Sequence, residues 1–284
     1  MLGTYHLNSL FDILKEIHFI YEPSKLWKFV LEKACSVIQA EAGSFYQLAD
    51  DGQTLQLAAS YGVDDQRIKQ VPFQVGVGIC GWVAQYLQPA LVADVRQDNR
   101  FNQGADIVTG FRTKSILCVP LLASKRSYGV LEILNKRNGL FAPQDQEFMT
   151  LLGRQTAVAY QNLNLLSEVR ESKVLVESIV NNLTGGLIAI NQDNRVTLMN
   201  PSAIRLLHLA EGSSAGKPVT EVLRHYPWFI DTLLQTQKTQ QNVSRQETDI
   251  SVEGVNTRFG YTTIVIADAQ KNLLGSGIIF QKLL

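Results

Sequence analysis

The stretch DNRFNQGADIVTGFRTKSILCVPL, residues 98–121, contains the change of pattern on which the fold turns. Its first part is polar and irregular, with room for one short helix. From Ser115 it becomes the apolar run SILCVPLLAS, whose length suits a buried strand. The charged turn SKRS and a second run, YGVLEILNK, make this a hairpin. Upstream, VGVGICGWVAQYLQPALVADV reads as a glycine-rich turn, a short helix and a strand ending near Asp94. Further back, GSFYQLAD, the turn DDGQ and TLQLAASYG read as an earlier hairpin.

Two helices precede these strands. Leu7, Leu10, Phe11, Leu14, Ile17, His18 and Tyr21 recur at three- and four-residue spacing, an amphipathic pattern over 7–21. Ser24 is placed to cap a second helix, 25–40, whose buried stripe would be Leu26, Phe29, Val30, Ala34 and Ile38. Downstream, a long helix opens near Pro143. Between Asp145 and Asn181 there is no proline, and Gly153 is the only glycine. Two seven-residue series run along it. One is Leu151, Val158, Leu165, Ser172 and Ile179, and the other is Gln155, Asn162, Val169, Val176 and Leu183. This a/d pattern predicts a two-chain coiled coil with polar breaks at Gln155, Asn162 and Ser172. Thr184, Gly185 and Gly186 end the helix. Beyond them come LIAIN and VTLMN, short helices from Pro201, around Val219 and over 228–236, and three strand-like runs from Ser244 to the end. The predicted class is α+β: two domains, each an antiparallel sheet with helices, joined by a long coiled-coil-like helix.

The totals exclude several functions. Lysine plus arginine equals aspartate plus glutamate, so net charge is zero and no nucleic-acid or membrane partner is expected. Cys35, Cys80 and Cys118 are sparse and lack C-x-x-C spacing, giving neither a disulfide framework nor a metal site; they read as apolar thiols in a reducing, cytoplasmic compartment. The N-terminus lacks a signal-peptide pattern, and no run approaches the ~18 apolar residues of a membrane span. No P-loop, H-E-x-x-H or G-x-S-x-G is present, so no catalytic residues are assigned and the segment reads as regulatory, not as an enzyme. The glycines at 76, 78 and 81 match G-x-G-x-x-G, but with no parallel strand before them.

Three consecutive stretches carry a family resemblance: GVGICGWVA (76–84), the quoted 98–121, and GVLEILNKRNGLFAPQDQEF (129–148). With them, residues 25–165 resemble a GAF domain of the kind found in cyclic-nucleotide phosphodiesterases and bacterial adenylate cyclases. Residues 174–280, with NNLTGGLIAINQDNRVTLMNPSAIRLL, resemble a PAS domain. The expected organisation is an N-terminal dimerisation helix (1–24), a GAF domain (25–165), a connecting helix (145–183) and a PAS domain (184–284). Asn135, Lys136, Phe141 and Asp145 stand at the family's N-K…F-x-x-x-D-E signature, with Gln146 where the family has glutamate. An ion pair from Lys136 to Asp145 would tie strand to helix.

The resemblance also implies a ligand pocket. Ser44 and Ser60 would line one wall, and Ile79 and Cys80 would lie against a base. Phe101, Asn102, Asp106, Thr109 and Thr113 would form a lid, and Glu132 the floor. Thr109 and Thr113, four apart, would point the same way on a short helix. Asp106 would accept from an amino or ring N–H, with capping of the short helix as its plainer alternative. The implied ligand is a cyclic nucleotide, cAMP or cGMP, with no covalent cofactor. The four histidines fall outside the GAF core and no cysteine precedes a histidine, which speaks against a bilin. Expected partners are the small-molecule ligand, a second copy through helices 1–21 and 145–183, and a C-terminal output domain of a two-component or similar signalling protein. A ligand-free dimerisation scaffold, or a GAF domain sensing another metabolite, is the alternative.

Overall fold

The computed structural model describes residues 3–210, 212, 214–252 and 254–283. The ends of the expected segments at Met1, Leu2 and Leu284 lie outside the described residues, as do Glu211, Ser213 and Glu253. The chain divides into two compact units, 1–168 and 169–284. Among the described residues no helix is long and apolar enough to cross a membrane.

The first unit runs α1 (Thr4–Ile17), α2 (Pro23–Ile38), β1 (Ala40–Leu48), β2 (Thr54–Tyr61), α3 (Asp65–Ile68), β3 (Phe73–Gln74), α4 (Gly78–Tyr86), β4 (Ala90–Val92), α5 (Gly104–Thr109), β5 (Ile116–Ala123), β6 (Arg126–Lys136) and α6 (Pro143–Asn182). The six strands form one antiparallel sheet in the order β3-β2-β1-β6-β5-β4. Both faces of the sheet are covered, which is why β5 reads as a continuous apolar run and β6 as one interrupted by Glu132. Leu117, Val119 and Leu121 enter a core with α1, α2 and the start of α6. Ile116 and Cys118, on the opposite face, enter a second core with Ile79, Cys80 and Val83 of α4.

Two local expectations are corrected. First, α1 spans Thr4–Ile17 rather than 7–21; its buried stripe is Leu10, Ile13 and Ile17, while Leu7, Phe11 and, beyond the helix, Tyr21 are exposed. Two apolar stripes exist on this helix, and the one fitting the sheet-side helices is buried. Second, α2 is not capped by Ser24: the cap position is Glu22, and Pro23 opens the helix without any side-chain cap. The helix ends at Ile38, where Gln39 turns left-handed into β1. Between β2 and α4 the chain also forms α3 and β3, to which the sequence pattern gave no element.

The long helix α6 is continuous over 40 residues. Its first half buries Phe148, Met149, Leu152, Ala157 and Tyr160 against the sheet. Beyond that, Leu165, Val169, Val176, Ile179 and Leu183 of the two seven-residue series are exposed.

The second unit contains β7 (Gly186–Asn191), β8 (Val196–Met199), α7 (Pro201–Leu206), α8 (Val219–Val222), α9 (Pro227–Thr239), β9 (Gln246–Val252), β10 (Val255–Ala267) and β11 (Leu273–Lys282). The sheet order is β8-β7-β11-β10-β9, all antiparallel. Phe229 and Leu233 of α9 pack on Phe259, Ile278 and Phe280. Asn200 organises the N-P-S turn. Its Oδ1 accepts from Ala203 N and Leu187 N, both at 2.9 Å, and its Nδ2 donates to the carbonyls of Gly185 (2.9 Å) and Val180 (3.2 Å). The turn thereby grips the C-terminal end of α6.

Candidate functional site

The glycine-rich turn exists to let α4 approach the sheet. Gly78 has φ +73°, and a Cβ on Gly81 would lie 2.2 Å from the carbonyl oxygen of Gln74. The helix starts at Gly78 with no side-chain cap. The cap residue, Val77, offers the first-turn amides of the helix no side-chain acceptor, an arrangement suited to an anion.

Between this turn, the β1–β6 floor and α5 lies a cavity of about 230 Å³. Ile79, Cys80, Phe101, Asn102, Asp106, Thr109, Thr113 and Glu132 all line it. Ser44 and Ser60 do not. Ser44 pairs with Ser60 on one side and Glu132 on the other, so all three share the cavity face of the sheet. Ser44 is fully buried within that sheet, however, and Ser60 donates to the carbonyl of Val63 at 3.0 Å. The sequence reading missed Tyr46, Val63, Ile68, Phe73 and Phe111, which supply much of the apolar lining. Only strand alternation from Ser44 to Tyr46 signalled any of them.

The lid chemistry differs from the helical expectation. α5 stops at Thr109 because Gly110 turns left-handed at φ +75°, so Thr113 lies beyond the helix. Thr109 donates its hydroxyl to the Ala105 carbonyl at 2.7 Å. Thr113 donates its hydroxyl to Asp106 at 2.6 Å and its backbone N–H at 2.9 Å. Asp106 is thus neither a helix cap nor free; it latches the two ends of the lid together. Arg67 of α3 adds a bond to the Thr109 carbonyl at 3.4 Å.

The four signature residues brace this region. Asn135, buried and left-handed at φ +54°, accepts from Lys114 N at 2.7 Å and donates to the Arg112 carbonyl at 2.9 Å. It also donates to Glu41 at 2.8 Å. Lys136 pairs with Asp145 at 2.5 Å, and Asp145 also accepts the Ala142 N–H at 2.7 Å. The latter bond reaches back over the first turn of α6, the half of a capping box that an acidic third residue supplies. Phe141 is buried beside them in the helix-side core. His6 of α1 lies 3.4 Å from Asp145, so this histidine, read as outside the core, touches the start of α6.

The floor holds four acids of three kinds, Cys80, Cys118, Glu132 and Tyr46. Cys118 donates to Cys80, with the sulfurs 3.8 Å apart, and Cys80 donates to a Glu132 carboxylate oxygen at 2.6 Å. Burial, with some repulsion from Asp106, pushes the Glu132 carboxyl up to about 7 against the hydrogen bond from Cys80. The contact with Cys118 and then burial push the Cys80 thiol well up. Burial raises Cys118, and burial with Glu132 raises the Tyr46 hydroxyl well up. Cysteine spacing alone gave no sign of this cluster, since 80 and 118 lie on a helix and a strand of separate segments.

Residues 22–160 match the family described as GAF domain, and residues 175–283 match the PAS fold. Among curated proteins the chain is 25% identical over 247 residues to a probable 3',5'-cyclic phosphodiesterase pde-5 of Caenorhabditis elegans, covering 80% of this chain and 33% of that one. It is 28% identical over 189 residues to the dual 3',5'-cyclic-AMP and -GMP phosphodiesterase 11 of Drosophila melanogaster, covering 59% of this chain and 13% of that one. It therefore spans a third or less of these relatives. Among solved structures, GAF domains of phosphoenolpyruvate-protein phosphotransferases from Coxiella burnetii (TM-score 0.53, 18% identity, 58% of this chain and 99% of that one) and Acinetobacter (0.51, 21%, 58% and 97%) share the fold. With the sheet orders described above, these matches identify a GAF domain over 22–160 followed by a PAS fold over 175–283.

Proposed function

We propose that the GAF cavity is a sensory site for a small anionic ligand, a cyclic nucleotide, and that α6 relays its occupancy to the PAS domain and to an output domain. The observation that carries the reading is the latched lid facing the uncapped start of α4. The helix amides offer donors to a phosphate, and the lid and floor offer Asn102, Asp106 and Glu132 to the edge of a base. The names of the relatives, cyclic-nucleotide phosphodiesterases, favour this ligand over other anions. At about 230 Å³ the cavity is smaller than ordinary ligand pockets of ~300–1,000 Å³, so the lid has to shift outward to admit a nucleotide. The segment acts as a regulator rather than a catalyst. It works as a homodimer, in which the exposed apolar positions of α1 and α6 meet those of a second copy.

Calorimetry with cAMP and cGMP tests this. Saturable binding of one of them, weakened at least tenfold in Asp106→Ala, is the expected result. Absence of heat with either, together with native mass spectrometry finding some other small molecule in the purified protein, removes the nucleotide reading. It would leave a site for a different metabolite.

A further inference from the structure

We propose that Cys80, Cys118 and Glu132 form a zinc-binding centre at the floor of the GAF cavity. Among the described residues they are the group of histidine, cysteine and acidic side chains whose ligand atoms all lie within 4.8 Å of one another, and all three are buried. Each of the three groups becomes an anion on losing its proton. They converge where the sheet, α4 and β5 exclude water, and each raises the cost of ionising its neighbours. A divalent cation turns that repulsion into coordination.

The geometry and donor chemistry select the metal. Two thiolates and one carboxylate suit zinc, whose sites take cysteine, histidine and carboxylate donors tetrahedrally. Two sulfurs each ~2.3 Å from a tetrahedral zinc stand about 3.8 Å apart. The Cys80 and Cys118 sulfurs are 3.8 Å apart. A carboxylate oxygen on the same ion stands about 3.5 Å from each sulfur. Glu132 therefore withdraws from its present 2.6 Å approach to Cys80 by a side-chain rotation. Both thiols, and the Glu132 carboxyl where it is protonated, give up their protons to solvent on binding. Cys80 and Glu132 also line the cavity, so the fourth position opens toward it, as in zinc sites that take an exchangeable ligand. Backbone position is preset: Glu132 lies opposite Cys118 in the β5–β6 register, and the packing of α4 on the sheet brings Cys80 over them.

The proposal shares Cys80 and Glu132 with the nucleotide cavity, but it does not rest on the nucleotide reading, and its test reads zinc alone, so failure of one is distinguishable from failure of the other. The test is zinc titration of the chelator-treated, fully reduced 284-residue chain against a chromophoric competitor, followed by X-ray absorption of the zinc-loaded protein and absorption spectroscopy with cobalt(II). The expected result is one zinc per chain, two sulfurs in the first coordination shell, and a thiolate-to-cobalt charge-transfer band. Affinity falls at least 100-fold in Cys118→Ser and in Cys80→Ser, and is unchanged in Cys35→Ser, whose thiol is buried in the other core. The wild-type absorption edge needs no variant to fold. Failure of the wild-type chain to bind stoichiometric zinc overturns the proposal, as does a shell of nitrogen and oxygen alone or unaltered binding in folded Cys118→Ser.

Discussion

Asp106 accepts two hydrogen bonds from one residue, the hydroxyl and the backbone N–H of Thr113, at 2.6 and 2.9 Å. It does so across seven residues of chain that include the left-handed Gly110. Residues 101–113 therefore combine the short helix α5 with a returning segment, and the Asp106 carboxylate closes one on the other. Asp106→Ala should cost about 1–3 kcal/mol from the lost bonds to a charged acceptor. It should also speed amide exchange across 101–113 while leaving β5 and β6 protected. Hydrogen-exchange mass spectrometry checks this, and uniform exchange in variant and wild type would mean that the latch does not hold the lid.

The latch marks the limit of what spacing reveals. Thr109 and Thr113 are four apart, and a helical reading aligns them; Gly110 ends the helix between them. The strands, the glycine turn and the long helix were legible because each is a local pattern with its own period. The Lys136–Asp145 pair was legible because the family motif spans it. Ser44 and Ser60 were placed on the right face of the sheet, but depth within that face depends on what packs above, and Tyr46 and Phe73 take the space. Cys80 and Cys118 meet only after α4 folds onto β5, a tertiary event with no periodic trace.

The raised carboxyl of Glu132 makes stability pH-dependent in a definite direction. Its folded value of about 7 lies above the ordinary 4.5, so the folded state holds the proton more tightly than the unfolded chain. Its contribution is complete below pH 4.5 and is lost as pH rises through 7. The difference is on the order of 3 kcal/mol. The groups facing it, Cys80, Cys118, Tyr46 and Asp106, are all acids, so none offsets the buried charge. Urea unfolding of metal-free protein between pH 5 and 8 should show falling stability, and Glu132→Gln should flatten the slope. Equal slopes would refute the assignment.

Gly81→Ala tests the close approach of α4 to the strand before it. The added carbon meets the Gln74 carbonyl at 2.2 Å, and a backbone oxygen has nowhere to swing. The cost should reach or exceed about 1–3 kcal/mol, the range for overpacking a well-filled core. Thermal unfolding measures it. A variant as stable as wild type would show that the turn relaxes freely, and the argument for preset helix amides would weaken with it.

Asn200 is the corresponding bracket in the second unit. It is fully buried and makes two donor and two acceptor contacts, reaching Val180 in the last turns of α6. Asn200→Ala removes the side-chain acceptor of the Leu187 and Ala203 N–H groups, of which Ala203 keeps its bond to the residue-200 carbonyl at 3.0 Å, and should cost about 1–3 kcal/mol. Ser202, donating to the Leu183 carbonyl at 2.5 Å, would remain as the second tie. Exchange should rise at 180–187 and in β7 before the rest of the sheet. If only α7 loosens, Asn200 serves its own helix and not the junction.

The exposed apolar series on α6 gives the last prediction. Val169, Val176 and Ile179 of α6 are between 54% and 68% exposed, and Leu183, just past its end, is 38% exposed. A lone helix gains nothing from such residues in water, whereas a parallel partner would bury them at a and d positions. Val169→Glu with Ile179→Glu places two charges in that seam and leaves the GAF core, which ends near Tyr160, untouched. Sedimentation should find a dimer for wild type and a monomer for the double variant, with near-equal melting of the GAF unit. If the variant still dimerises, the contact lies elsewhere, and the exposed face of α1, with Tyr5, Leu7 and Phe11, becomes the next surface to charge. A monomeric wild type would instead remove the relay through a paired helix, because a shift in register or rotation has meaning only against a second copy.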